Sequence, residues 1–144
     1  MKAYFSRRYT ISASHRLHTD SLSADENLAT FGKCNNPHGH GHNYGIVVTV
    51  GGEVDPATGM VLNMATLDGV VQKQVIDRFD HMNLNLDPLF AMQVSTTENL
   101  CIVTFDLLLE SLKPAKLERV RIEETENNFF EYAGMAVITR RLIL

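Results

Sequence analysis

Apolar and polar positions alternate from residue 3 to residue 15, with Phe5, Tyr9, Ile11 and Ala13 in one register and His15 ending the run. A period of two carried by aromatic and β-branched residues predicts a strand. Ser23 stands three residues before Glu26, the capping-box spacing, and predicts a short helix to about Thr30. A second alternating run, His42-Tyr44-Ile46-Val48-Val50, predicts a strand over 42–50 that Gly51-Gly52 would end. Asp55-Pro56 and Gly59 make Gly51–Gly59 a hairpin-type connection. Met60-Val61-Leu62 reads as a brief extended return, with Asn63 placed to cap the next element.

From Met64 to Phe79 the pattern changes to helical spacing, at Leu67, Val70, Val71, Val75 and Ile76, weakened slightly by Gly69. Asp80–Pro88 is a polar connection. Ser95-Thr96-Thr97-Glu98 is a second capping box, opening a helix with Leu100, Val103, Leu107, Leu108 and Leu112 on one stripe and ended by Lys113-Pro114. Leu117–Glu124 alternates as a third strand, Glu126-Asn127-Asn128 turns the chain, and Phe129–Ala133 gives a fourth. The order β-β-α-α-β-β predicts an α+β fold, a four-stranded antiparallel sheet with two helices on one face. Its two open edges invite closure by neighbouring subunits.

At 144 residues the chain is expected to be one domain over 1–144, with 134–144 as an extra C-terminal tail. A 44% hydrophobic content is enough for an ordinary core, and a formal charge of −4 argues against a broad nucleic-acid surface. MKAYFSRRYTISASHR has no continuous apolar segment, and no run approaches membrane-spanning length, so a soluble, cytoplasmic protein without a membrane partner is expected. Of the two cysteines, Cys101 lies in an apolar helical pattern and reads as core, whereas Cys34 lies in a polar loop. A structural disulfide is not expected in a reducing compartment.

The chemistry concentrates in Phe31–Tyr44, FGKCNNPHGHGHNY, where Cys34 and three histidines are interleaved with glycines. His40 and His42, two apart at the start of a strand, project from one sheet face. Neutral imidazole is a common zinc ligand, and a catalytic zinc takes three protein ligands and keeps one position open. His15 is the candidate third ligand, since two neighbouring strands would bring it alongside. The plainer alternatives are a satisfied histidine pair, a Cys34 that only fills space, an Asp80-His81 pair that caps the preceding helix, and a Thr96-Thr97-Glu98 segment that only starts a helix.

Together with ASHRLH upstream and GEVDPATGMVLN, DHMNL, STTENL and EETENN downstream, this segment resembles the 6-pyruvoyl-tetrahydropterin synthase family, from about Ser12 to Gly134. The resemblance implies the tunnelling fold, in which trimers close a barrel and pair as a homohexamer, with active sites at subunit boundaries. It implies a lyase that converts 7,8-dihydroneopterin triphosphate to 6-pyruvoyl-tetrahydropterin plus triphosphate, in tetrahydrobiopterin biosynthesis. It further implies one Zn2+ per subunit on His15, His40 and His42, with Mg2+ available to the substrate triphosphate. Cys34 matches the catalytic thiol, and Asp80 and His81 the pair that joins it in proton transfer. Glu124 matches the carboxylate that anchors the pterin, and Thr96, Thr97 and Glu98 the pocket segment. His38 stands where the family has asparagine. A sister branch makes 6-carboxy-tetrahydropterin for queuosine from the same substrate, with its thiol nearer the first histidine of the motif. CNN and STTEN favour the biopterin branch. A reading of another class is a non-catalytic, zinc-stabilised hexamer that binds pterins, against which Cys34, Asp80 and His81 together count. The triphosphate needs cations, and Lys33, Arg16 and His18 are the nearest in sequence.

Overall fold

A computed structural model describes residues 1–112 and 115–135. Two long strands, β1 (Lys2–His15) and β2 (His40–Glu53), form its centre. They pair antiparallel without a break from Lys2↔Glu53 to His15↔His40. β4 (Lys116–Glu123) adds to β2 antiparallel, with a register shift at Thr49/Val50, and β5 (Phe129–Tyr132) adds to β4. A two-residue strand, β3 (Met82–Asn83), joins the far side of β1 in parallel, giving the order β3-β1-β2-β4-β5. The expected four-stranded sheet thus has five strands. The extra one is too short for any alternation to show in the sequence.

The helices that follow β2 pack on one sheet face. α1 (Ala24–Phe31) carries the full capping box, Glu26 N–H to Ser23 Oγ and Ser23 N–H to Glu26 Oε1, both 3.1 Å. α2 (Met64–Val71) starts at Asn63, whose side chain accepts from Ala65 N–H at 2.8 Å. It continues through a π-helical turn, Gln72–Ile76, into α3 (Asp77–Phe79). The long helix is α4 (Thr97–Leu109). Fully buried Leu67, Val71, Val75 and Phe79 face Ile46, Val48, Val120 and Ile122 across the core, joined by Leu100 and Leu108 of α4. Burying side chains of this size contributes roughly 1.5–3 kcal/mol each. Cys101 belongs to this core as expected, and burial pushes its thiol pKa up to about 12. Cys34 and Cys101 are both free.

Several boundaries differ from the pattern reading. Gly51 and Gly52 do not end β2 but pair with Tyr4 and Ala3. A Cβ on Gly51 would lie 2.7 Å from the Tyr4 ring and 2.8 Å from Glu118 Oε1, so the glycine is there for close approach and not as a break. Met60–Leu62 is a bend and not an extended return. The cap of α4 is Thr96, accepting from Asn99 N–H at 3.2 Å, one residue later than the Ser95 capping box. Ser95 is instead buried and used elsewhere. α4 ends at Leu109; the Lys113-Pro114 stop and the tail beyond Met135 fall outside the described residues. No helix among the described residues is long and apolar enough to cross a membrane.

After β3 the chain makes two short 3-10 turns, Leu84–Leu86 and Pro88–Phe90, before α4. Arg78 ties this connection to α3, donating to both Asp87 carboxylate oxygens at 2.9 and 2.8 Å, while Asp87 also accepts from Leu89 N–H at 2.9 Å. Partial burial raises the Asp87 pKa, but Arg78 and the Leu89 amide outweigh it and the net shift is downward. A depressed carboxylate stabilises the fold above its unfolded pKa, and that contribution is lost as pH falls through the folded one. Asp87→Asn is therefore expected to cost about 1–3 kcal/mol at pH 7. The difference from wild type in denaturant unfolding should hold above about pH 4 and shrink at lower pH.

Candidate metal and ligand site

The β1–β2 register carries the histidines. His15↔His40 and Ala13↔His42 are directly paired, so all three imidazoles leave the core face of the sheet at one end. Gly39 makes the turn into β2 at φ +74°, and a Cβ there would stand 2.9 Å from the His15 carbonyl oxygen, so glycine is required for His40 to reach His15. The three histidines each offer one nitrogen, and these atoms lie within 4.8 Å of one another.

Their protonation suits a metal. The His15 ring is 2% exposed and its Nδ1 lies 2.6 Å from the Ser95 carbonyl oxygen. A carbonyl only accepts, so Nδ1 carries the proton and the Nε2 lone pair points to His40 Nε2, 3.0 Å away. Burial lowers the His15 pKa, outweighing the Ser95 contact, and the neighbouring histidines lower it further. Burial likewise lowers that of His42, against the opposing pull of Glu124. Both rings are neutral at pH 7, the form that ligates. His42 Nε2 is buried with no hydrogen-bond partner among the described residues. The residues present therefore fit a metal ion bound by three imidazoles.

Beside this triad stands Glu124, just past β4, with Oε1 4.0 Å from His42 Nε2. Thr97 donates its hydroxyl to Glu124 Oε2, and Asn128 Nδ2 lies 3.4 Å from Oε1. Burial raises the Glu124 pKa, but the Thr97 and Asn128 hydrogen bonds and then the histidines more than offset it, so the group is an anion at neutral pH. Of the STTE segment, Thr97 faces Glu124, Thr96 caps α4 and Glu98 is exposed in its first turn.

Asp80 and His81 grip β1 from its edge. Asp80 Oδ1 accepts from Ser12 N–H at 2.8 Å and His81 N–H donates to Ser12 O at 2.6 Å. Asp80 Oδ2 meets His81 Nδ1 at 3.0 Å, and the His81 side chain is 82% exposed. The Ser12 amide holds the Asp80 carboxyl below its usual range against the opposing effect of burial, and His81 adds to the lowering. His81 adopts φ +60°, alone among the described non-glycine residues. Such a conformation is rare and marks positions where function constrains the backbone. His81 also lines an open cavity of about 560 Å3 along the ends of β1 and β2, with Ser14, His42 and Asn43.

Cys34 sits in a 3-10 turn, Gly32–Asn35, half-buried, its carbonyl bonded to Leu17 N–H at 2.9 Å. No hydrogen bond joins its thiol to Asp80 or His81 among the described residues. His38 is an exposed loop residue whose amide bonds to Asn36.

Sequence reasoning passed over three residues. Tyr44 is fully buried, its ring 5.4 Å from that of His42 and its hydroxyl without a hydrogen bond; burial, then Glu124, raises its pKa, so it stays a neutral phenol. It continues the His40-His42 period of two, the signal that places it. Ser95 and Asn85 support β1 across long sequence separations and leave no local pattern.

The sequence model of the 6-pyruvoyl tetrahydropterin synthase family matches residues 4–135. The human 6-pyruvoyl tetrahydrobiopterin synthase is 52% identical over 134 residues, 92% of this chain and 92% of its own length. A putative 6-carboxy-5,6,7,8-tetrahydropterin synthase of Archaeoglobus fulgidus is 33% identical over 111 residues, 77% of this chain and 88% of its own. The solved structure of the Caenorhabditis elegans 6-pyruvoyl tetrahydropterin synthase superposes with a TM-score of 0.90 at 45% identity, covering 94% of this chain and 97% of that one. A fold, a metal-competent histidine triad and a level of identity that agree in this way place the chain in the 6-pyruvoyl tetrahydropterin synthase family, as a lyase of that type.

Proposed function

We propose that the protein is a zinc-dependent lyase that converts 7,8-dihydroneopterin triphosphate to 6-pyruvoyl-tetrahydropterin and triphosphate. The observation that carries the reading is the unsatisfied His42 Nε2 within a three-histidine cluster, 4.0 Å from an anionic Glu124. The 52% identity to the human enzyme supports the same chemistry. His15, His40 and His42 would hold the zinc, which as a Lewis acid acidifies the C–H beside a side-chain oxygen of the substrate. Glu124 would bind the guanidine-like edge of the pterin, bidentate as a carboxylate binds arginine, with Thr97 fixing its orientation. Cys34 would take the side-chain proton. Asp80 holds the His81 imidazole, which would return a proton to the substrate and release one in turn.

Cys34 and the exposed His81 would then meet across a subunit boundary. A homohexamer built from barrel-forming trimers is consistent with the sheet edges: β1 is covered by β3 only at Ala13 and Ser14, and β5 pairs only with β4 among the described strands.

Product analysis with dihydroneopterin triphosphate tests the reaction. The pyruvoyl product is expected; carboxy-tetrahydropterin with acetaldehyde would assign the chain to the sister activity, and no turnover with intact pterin binding would make it a binding scaffold. Cys34→Ala should fold, keep its zinc by metal analysis and bind pterin, yet lose ~10²–10⁴-fold in turnover, the usual contribution of a positioned base. Loss of zinc in that variant would make the thiol a ligand, and near-normal turnover would move the base elsewhere. Glu124→Gln should weaken binding of a pterin ligand by about 1–3 kcal/mol in calorimetry, the cost of a mismatched polar group in a pocket. An unchanged affinity would remove Glu124 from the site.

A further inference from the structure

Arg16 comes directly after His15, and its surroundings are unusual for a cation. Among the described residues, Arg16, Lys33 and Lys73 are the lysines and arginines without a carboxylate partner. Lys33 and Lys73 are exposed and hydrated, whereas Arg16 is partly buried. A guanidinium withdrawn from water without a counter-ion is unfavourable unless something anionic completes it.

The backbone of Arg16 is held on both sides. Its N–H donates to Asn85 Oδ1 at 2.7 Å and its carbonyl accepts from Asn85 Nδ2 at 2.9 Å, so one side-chain amide extends the β1 edge pairing beyond β3. The Ser95 hydroxyl lies 3.4 Å from the same carbonyl. The side chain is held by Nε, which donates to the Asn35 carbonyl at 2.9 Å, leaving both terminal nitrogens without a hydrogen-bond partner among the described residues. These contacts fix the guanidinium without neutralising it.

Arg16 also borders a cavity of about 280 Å3 that opens beside His15, with His38, Gly39, Asn83 and Asn85 on its walls and no carboxylate among its lining residues. His18 lines it too but is already committed, accepting from Asn35 Nδ2 at 3.0 Å on Nδ1 and facing Asp20 at 3.2 Å through Nε2. Asp25 and Lys33 line a second cavity on the other side of Arg16, and Asp25 forms no ion pair with it. The walls around Arg16 on the His15 side therefore carry polar groups and imidazoles but no anion.

From this we infer that Arg16 is the anchor of a polyphosphate subsite beside the histidine triad, where the fixed guanidinium fork binds phosphate oxygens in a bidentate manner. Lys33 and His18, the other cations near in sequence to the histidine motif, are not the anchors. This assignment rests on the pterin triphosphate reading for its ligand, whose pterin edge that reading gives to Glu124.

The test is calorimetry of the zinc-loaded protein with two separate probes, inorganic triphosphate and neopterin, which has no phosphate. Arg16→Gln should weaken triphosphate binding on the order of 10- to 100-fold, the range for lost charge-assisted bonds, with neopterin affinity unchanged. Lys33→Gln should leave both affinities unchanged. Arg16→Lys, which keeps the charge and the packing of the stem, should recover part of the loss. Triphosphate affinity that is the same in wild type and Arg16→Gln, with zinc content intact, overturns the subsite. If Arg16→Gln sheds zinc or melts early, Arg16→Met, which keeps the packing of the stem without the charge, decides: unchanged triphosphate affinity there also overturns it. Absent neopterin binding beside Arg16-dependent triphosphate binding would remove the pterin reading and leave this site standing.

Discussion

The unbroken antiparallel register of β1 on β2 is the constraint on which the rest depends. Each strand is 14 residues long, and the pairing runs from Lys2↔Glu53 to His15↔His40. Because side chains alternate with a period of two, a slip of one residue would turn His15 to the opposite face from His40 and His42. The same slip would expose Ile11 and Ala13. Core burial and ligand geometry are therefore selected by a single register. Gly39 and Gly51 protect it at its two ends, one by letting the chain turn against the His15 carbonyl and the other by leaving room for the Tyr4 ring.

A second layer of contacts converts this register into a chemically defined site. The Ser95 carbonyl fixes which His15 nitrogen is free, and Asn85 clamps Arg16 beside it. Both residues come from the connection that leads into α4, and Thr97 at the start of that helix orients Glu124. The connection itself is anchored by Arg78 on Asp87. One irregular stretch thus supports the three histidines, the carboxylate beside them and the Asp80-His81 pair, which two hydrogen bonds tie to Ser12 on the same edge. Its polar composition reflects this use: nearly every polar group is matched to a backbone group of β1 or of its own turns.

The two faces of the sheet have different roles. The core face carries the histidines, Tyr44 and the aliphatic contact with the helices. The other carries paired charges, Arg8 and Arg121 with Glu123 and Arg119 with Glu131, and the Ser6–Thr49 hydroxyl pair. An uncovered face with matched charges and open edges suits a sheet that packs into a larger assembly, which is the arrangement proposed for the trimer barrel.

Period and capping chemistry by themselves determined much of this protein. Local rules placed β1, β2, β4 and β5, the Ser23 cap of α1, the Asn63 cap of α2, and His40 and His42 on one face, because each is set by residues a few positions apart. The motif residues around Cys34 identified the family. Only the tertiary structure decided that β2 continues through Gly51 and Gly52, since this depends on Tyr4 and Glu118 packing over them. Only it decided that Ser95 leaves the capping role to Thr96, because the Ser95 hydroxyl is turned to the Arg16 carbonyl and Asn85 Oδ1, distant in the chain. β3, the left-handed His81 and the clamp on Arg16 were equally hidden. Each is fixed by hydrogen bonds between segments far apart in sequence, and such bonds leave no periodicity to read.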